Sequence, residues 1–68
     1  MMKTFGCYRG VGNGVAVCAA RSKEEAYGAM VIEDSSLMYD YRPEDFFEIE
    51  NLYYDGNEPK LIIEGGKE

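Results

Sequence analysis

Hydrophobic and polar positions change period along this chain, and each change marks an element. Lys3–Arg9 and Val15–Ala20 are short, mostly apolar runs separated by Gly10-Val11-Gly12-Asn13-Gly14, which predicts two strands joined by a turn. Gly12-Asn13 suits a type II′ hairpin loop and Asn13-Gly14 a type I′ loop. The first would set Cys7 directly opposite Cys18; the second would set Cys18 against Arg9. Because successive strand residues point to opposite faces, either register puts Phe5, Cys7, Ala16, Cys18 and Ala20 on one face. Tyr8, Val15, Val17 and Ala19 then occupy the other.

A spacing of three and four begins after Ser22. Ser22-Lys23-Glu24-Glu25 is a capping box: the Ser22 hydroxyl accepts from the Glu25 amide while the Glu25 carboxylate reaches back. Two acids in the first turn also suit the helix dipole. Ala26, Ala29, Met30 and Glu33 share one face, and the helix should fade between Ile32 and Ser35, where Asp34-Ser35-Ser36 offers the backbone local hydrogen bonds. Residues 34–45 read as irregular, with Arg42 extended before Pro43. Phe46–Tyr54 is the third expected strand. There Phe47 and Ile49 alternate with Glu48 and Glu50, and a bulge near Asn51 accounts for the lost phase at Leu52, Tyr53 and Tyr54. After a turn at Asp55–Pro59, Lys60–Glu64 forms the last strand, with Leu61 and Ile63 opposed to Lys60, Ile62 and Glu64. Gly65–Glu68 should fray. The expected fold is α+β, one domain over residues 1–68: a small antiparallel sheet with one helix packed on it, in the order β-β-α-β-β.

Composition changes the picture in two ways. At 68 residues, the chain lies near the lower limit for unaided folding, but 46% hydrophobic content supports a core. The net charge of −6 is unevenly spread: residues 1–32 carry net +2 and residues 33–68 net −8. That asymmetry argues against direct binding to a nucleic-acid backbone, which calls for clustered lysine and arginine, and it favours a basic protein partner. No apolar run reaches the roughly 18 residues of a membrane span. Lys3 runs at once into a mixed segment without a signal-peptide pattern, so the expected compartment is the cytoplasm.

The chemistry of catalysis is thinly represented. The chain has no histidine, which removes the commonest general base and metal ligand, and the expectation is a protein that binds and does not catalyse. Gly10, Gly12 and Gly14 lack the lysine, serine or threonine and the following helix of a phosphate-cradling loop, so they read as a hairpin turn. Cys7 and Cys18, with no base nearby, read as buried packing residues. Asp40, Glu44 and Asp45 lack the regular alternation of a calcium loop; no metal and no cofactor is expected.

The stretch Tyr39–Tyr54 interleaves six aromatic residues with five acids. In one reading Phe47, Ile49 and one tyrosine are core and the acids keep a sheet face solvated. In the other, tyrosines supply rigid interface area while carboxylates meet arginine and lysine on a partner. The segment Val15–Ala26 resembles the strand-then-capped-helix unit of very small proteins encoded by phages and mobile elements. Size, acidity and the aromatic-acidic half are similar to those of anti-CRISPR and other DNA-mimic inhibitors. The resemblance implies an inhibitor or modulator that occupies a basic, nucleic-acid-binding surface on a host protein. No residue motif defines those inhibitors; the acidic-aromatic stretch itself puts forward Asp40, Glu44, Asp45, Glu48 and Glu50 as the partner-binding acids, with Tyr39 and Tyr41 as aromatic contacts. The alternative is a non-inhibitory interaction or assembly module, such as a homo-oligomer joined through exposed sheet or the tyrosines.

Overall fold

The structure, a computed structural model, describes residues 1–9, 14–33 and 35–63. Strands β1 (Met2–Tyr8) and β2 (Val15–Ala20) precede helix α1 (Lys23–Glu33). Two short 3-10 segments, Ser35–Tyr39 and Pro43–Asp45, then lead to β3 (Phe47–Tyr54) and β4 (Lys60–Ile63). The class is the expected α+β, with helical turns where an irregular stretch was anticipated. Chain order is not sheet order: the antiparallel sheet is open and runs β3-β1-β2-β4, so the hairpin occupies the centre and the later strands take opposite edges.

The hairpin adopts neither expected register. Phe5 pairs with Cys18, Cys7 with Ala16 and Tyr8 with Val15, and the Arg9 N–H donates to the Gly14 carbonyl at 3.1 Å. Residues 10–13 therefore separate the arms, where a two-residue loop was expected; the Gly12-Asn13 tip lies outside the described residues. Gly14 takes φ 79°, a left-handed value that glycine adopts at little cost, so this glycine serves the base of the loop. The displacement is an even number of residues, which leaves the two predicted faces intact. It also sets the cysteines diagonally and not opposite.

At the start of α1 the Ser22 hydroxyl accepts from the Glu25 N–H at 3.2 Å. The reciprocal half of the capping box is displaced by one residue: the Glu25 carboxylate accepts from the Arg21 N–H at 2.9 Å. It is drawn there by the Arg21 guanidinium, 3.2 Å away, which also donates to the Asn57 carbonyl at 2.8 Å. One side chain thus ties the helix start to the β3–β4 connection. Ala26, Ala29 and Met30 are buried, whereas Glu33, expected on the same face, is exposed in the last turn.

The core lies between α1 and the sheet. Phe5, Cys7, Ala16, Cys18 and Ala20 meet Ala26, Ala29 and Met30, and Phe46 completes the cluster. Phe46 is 2% exposed and Phe47 is 36% exposed, the reverse of the core assignment that alternation along Phe46–Tyr54 suggests. Phe46 precedes the strand; its N–H donates to the Pro43 carbonyl at 3.1 Å, and the 3-10 turn swings its ring under the helix. Phe47 begins β3 opposite Gly6, on the other side of the sheet.

Both edge strands carry bulges. On β3, Ile49 pairs with Thr4 and Tyr53 with the adjacent Lys3, which leaves Glu50, Asn51 and Leu52 outside the ladder. Asn51, at φ 64°, makes the expected break; asparagine tolerates this region better than most residues. The Thr4 hydroxyl donates to the Leu52 carbonyl at 2.7 Å and holds the bulge against the sheet. On β4, Leu61 pairs with Cys18 but Ile63 pairs with Val17. The extra residue separates Leu61 from Ile63, which were expected to share a face; residue 64, expected to end this strand, and the tail at 65–68 lie outside the described residues.

Two outcomes in urea unfolding follow. Ser22→Ala should cost about 1 kcal/mol through loss of the cap. Phe46→Ala should cost about 3–5 kcal/mol, and Phe47→Ala less than half of whatever Phe46→Ala costs; equal losses would contradict the assignment of the two rings to opposite sides.

Candidate interaction surface

The ribbon from Tyr39 to Glu50 runs from the helical layer to the outer edge of the sheet. Its first residue is placed by the helix: the Tyr27 hydroxyl donates to the Met38 carbonyl at 3.4 Å, and Tyr39, which follows, is 85% exposed. Asp40 is exposed beside it. Tyr41 behaves differently. Its ring packs against the core and lies 5.7 Å from the Arg9 guanidinium, so it offers less surface than its neighbour.

Pro43 forces Arg42 to be extended, at φ −136° and ψ 162°. That geometry lets Asp45 cap the following turn, accepting from the Arg42 N–H at 2.8 Å. Asp45 and Glu44 are both exposed. Glu48 pairs across the ladder with Phe5, hence on the helical side, and reaches Lys3 at 3.7 Å. Glu50 sits in the bulge, exposed. Among the described residues Asp40, Glu44 and Glu50 make no ion pair, and no group of three acids or cysteines converges as a metal site requires. The five carboxylates are thus a string along one ribbon and not a cluster.

A second surface was only half legible from alternation. Tyr8 and Phe47 meet on the side of the sheet away from α1, with ring centroids 5.2 Å apart and planes tilted by 34°. The Phe47 ring lies over Gly6, where a Cβ would fall 2.7 Å from Cζ and 3.1 Å from Val15 Cγ1. A side chain there would have to displace the Phe47 ring, so glycine gives that ring its seat by leaving space and not by its backbone conformation. At the other end of this side the Lys60 ammonium stands 5.9 Å from the Tyr54 ring centre. The adjoining cleft, lined by Tyr54, Gly56, Asn57, Glu58, Pro59 and Lys60, holds about 270 Å³ and is open, below the usual range for small-molecule sites.

Cys7 and Cys18 are fully buried and unlinked. Burial pushes the Cys18 thiol up to about 12, with Cys7 adding to the effect. Burial likewise raises Cys7, reinforced by the Asp45 charge and opposed by Arg9. Neither is a thiolate at neutral pH, so neither is an activated nucleophile.

No helix among the described residues is long and apolar enough to cross a membrane. Comparison with protein-family models, curated proteins and solved structures returns no match.

The thiols set a testable alkaline limit. Because the folded pKa lies above the unfolded one, folding holds a proton that the unfolded chain releases, and stability falls as pH rises from about 9 towards 12. Cys18→Ala should flatten that decline in a series of pH-dependent unfolding curves. At pH 8 an alkylating reagent should modify both thiols only as fast as the protein opens.

Proposed function

We propose that this protein is a small acidic inhibitor or modulator that docks on a basic, nucleic-acid-binding surface of a host protein. The observation that carries the reading is the exposed ribbon in which Asp40, Glu44 and Glu50 have no cationic partner among the described residues. Carboxylates left without an internal counter-ion meet guanidinium or ammonium groups at lower cost than those already engaged, since no existing pair is broken. Asp45 and Glu48 take part with part of their charge already committed, to the Arg42 backbone and to Lys3. Tyr39 is the aromatic anchor, because it presents nearly its whole ring; Tyr41 contributes an edge. Spacing the acids along a ribbon suits a groove that tracks a phosphate backbone better than a point contact would. The chain acts without a catalytic step or a cofactor, and its compartment is the cytoplasm of the host.

The test begins with the partner captured on immobilised protein from host lysate. Its affinity should fall steeply with salt, because exposed charges more than about 8–10 Å apart are screened at physiological ionic strength. It should also compete with duplex DNA for the same partner. Asp40→Lys with Glu44→Lys should slow association more than it speeds dissociation. Tyr39→Ala should raise the off-rate by an amount equivalent to about 2 kcal/mol. Salt-independent affinity that survives the double reversal would eliminate the reading.

A further inference from the structure

The two thiols buried between α1 and the sheet take no part in the acidic ribbon. Cys7 pairs across the central hairpin with Ala16, and Cys18 pairs with Phe5, so the cysteines share a face and stand one diagonal step apart. Diagonal neighbours of an antiparallel pair have Cα atoms roughly 7–8 Å apart. A disulfide needs Cα atoms within about 4.4–6.8 Å and side chains that converge. Directly opposed residues, at about 4.5–5.5 Å, satisfy it. One displacement brings the cysteines opposite each other, a two-residue slip of β2 along β1. That slip leaves Gly12-Asn13 as a two-residue loop of the favoured type II′ class. Being even, it turns no side chain to the wrong face.

The rest of the molecule does not follow such a slip. Two residues amount to about 6.6 Å along a strand. β3 is paired to β1 and β4 to β2, so the connection at 55–59 would have to absorb the whole displacement. Arg21 holds that connection by donating to the Asn57 carbonyl at 2.8 Å, and it would be carried off with β2. Helix α1 follows β2 after Arg21 and Ser22. Phe5 and Phe46 belong to the β1 and β3 side of the core and cluster with Ala26, Ala29 and Met30 of the helix. Moving the helix past these two rings takes the cluster apart.

We infer that the native fold and a Cys7–Cys18 disulfide exclude one another, so that the chain responds to the redox state of its surroundings while it folds. In the unfolded chain both thiols are open to exchange with a small-molecule disulfide. The Cys7 thiolate attacks one sulfur of the reagent and breaks its S–S bond; the Cys18 thiolate then attacks the Cys7 sulfur and expels the reagent. Two protons and two electrons pass to the reagent, which leaves as thiol. The short loop between the cysteines closes far faster than exchange proceeds. Once the chain has folded this chemistry stops, because both thiols are inaccessible and burial pushes Cys18 up to about 12. Reduced chains therefore reach a state that oxidant does not enter, and oxidised chains are held in a hairpin of correct pattern and wrong alignment. The inference stands whether or not the ribbon docks on a basic partner.

The full chain tests it after unfolding in urea, oxidation with the cyclic disulfide of dithiothreitol, removal of the reagent and dilution into buffer. Loss of two hydrogens by mass spectrometry identifies the bridge. By circular dichroism the bridged chain should lack the cooperative urea transition of the reduced protein, and reduction should restore that transition in full. Folded, reduced protein given the same oxidant should acquire the bridge no faster than its slowest amides exchange. Cys7→Ala, or Cys18→Ala where the first does not fold, should keep its transition after the same treatment. A bridged chain that unfolds cooperatively at the same or higher urea overturns the inference. So does a bridge that forms in the folded protein ahead of opening, an unfolded chain that forms no bridge, or an alanine variant that loses its transition on treatment.

Discussion

Everything in this molecule depends on how closely α1 can lie against β2. The facing side chains are Ala16, Cys18 and Ala20 from the strand and Ala26 and Ala29 from the helix, all small and all buried. Small residues on both sides allow two layers to approach closely, and the cavity they enclose is thin. Among the core's buried members Phe5, Met30 and Phe46 add bulk, and Tyr27, Tyr41 and Leu61 pack part-buried at its margin. A core of that thickness has no room for six tyrosines, whose hydroxyls would also need buried partners. The aromatic exterior is thus a consequence of the alanine-rich interior.

This constraint also orders the charges. Among the described residues Thr4, bonded to the Leu52 carbonyl, is the fully buried polar residue, and the acids lie on the helical layer, the outer strand and the β3–β4 connection. β3 is an edge, and Glu48 and Glu50 on it discourage further strand pairing in the way charged edges generally do. The same carboxylates serve solubility and, in the proposed function, recognition. The side of the sheet away from α1 carries Thr4, Gly6, Val17 and Ala19 on its two central strands.

Much of this was legible in the sequence because the signals were local. Ser22 and Glu25 marked the helix start, Asn51 the bulge, and strand alternation the two faces of the hairpin. Failures came where a distant element decided the outcome. Phe46 and Phe47 are indistinguishable by periodicity; the turn begun by Pro43 chooses between them. The hairpin register turned on a loop longer than the Gly-Asn and Asn-Gly pairs suggest. The edge assignments of β3 and β4 depend on the path around the helix, which no local pattern records. Within the acidic ribbon, exposure of Tyr39 was foreseeable, but the pairing of Tyr41 with Arg9 joins residues 32 positions apart.

The two edge bulges have a further meaning. A slip of β1 against β2 by two residues would keep every side chain on its proper face, so the hydrophobic pattern alone cannot forbid it. The edges can. Three residues spill out of β3 opposite the Lys3–Thr4 step, and one spills out of β4 opposite Val17–Cys18. These irregularities work like the wards of a lock: each matches a single step on the central pair, and both must engage at once. In a sheet whose centre is nearly featureless, alignment is stored at the periphery.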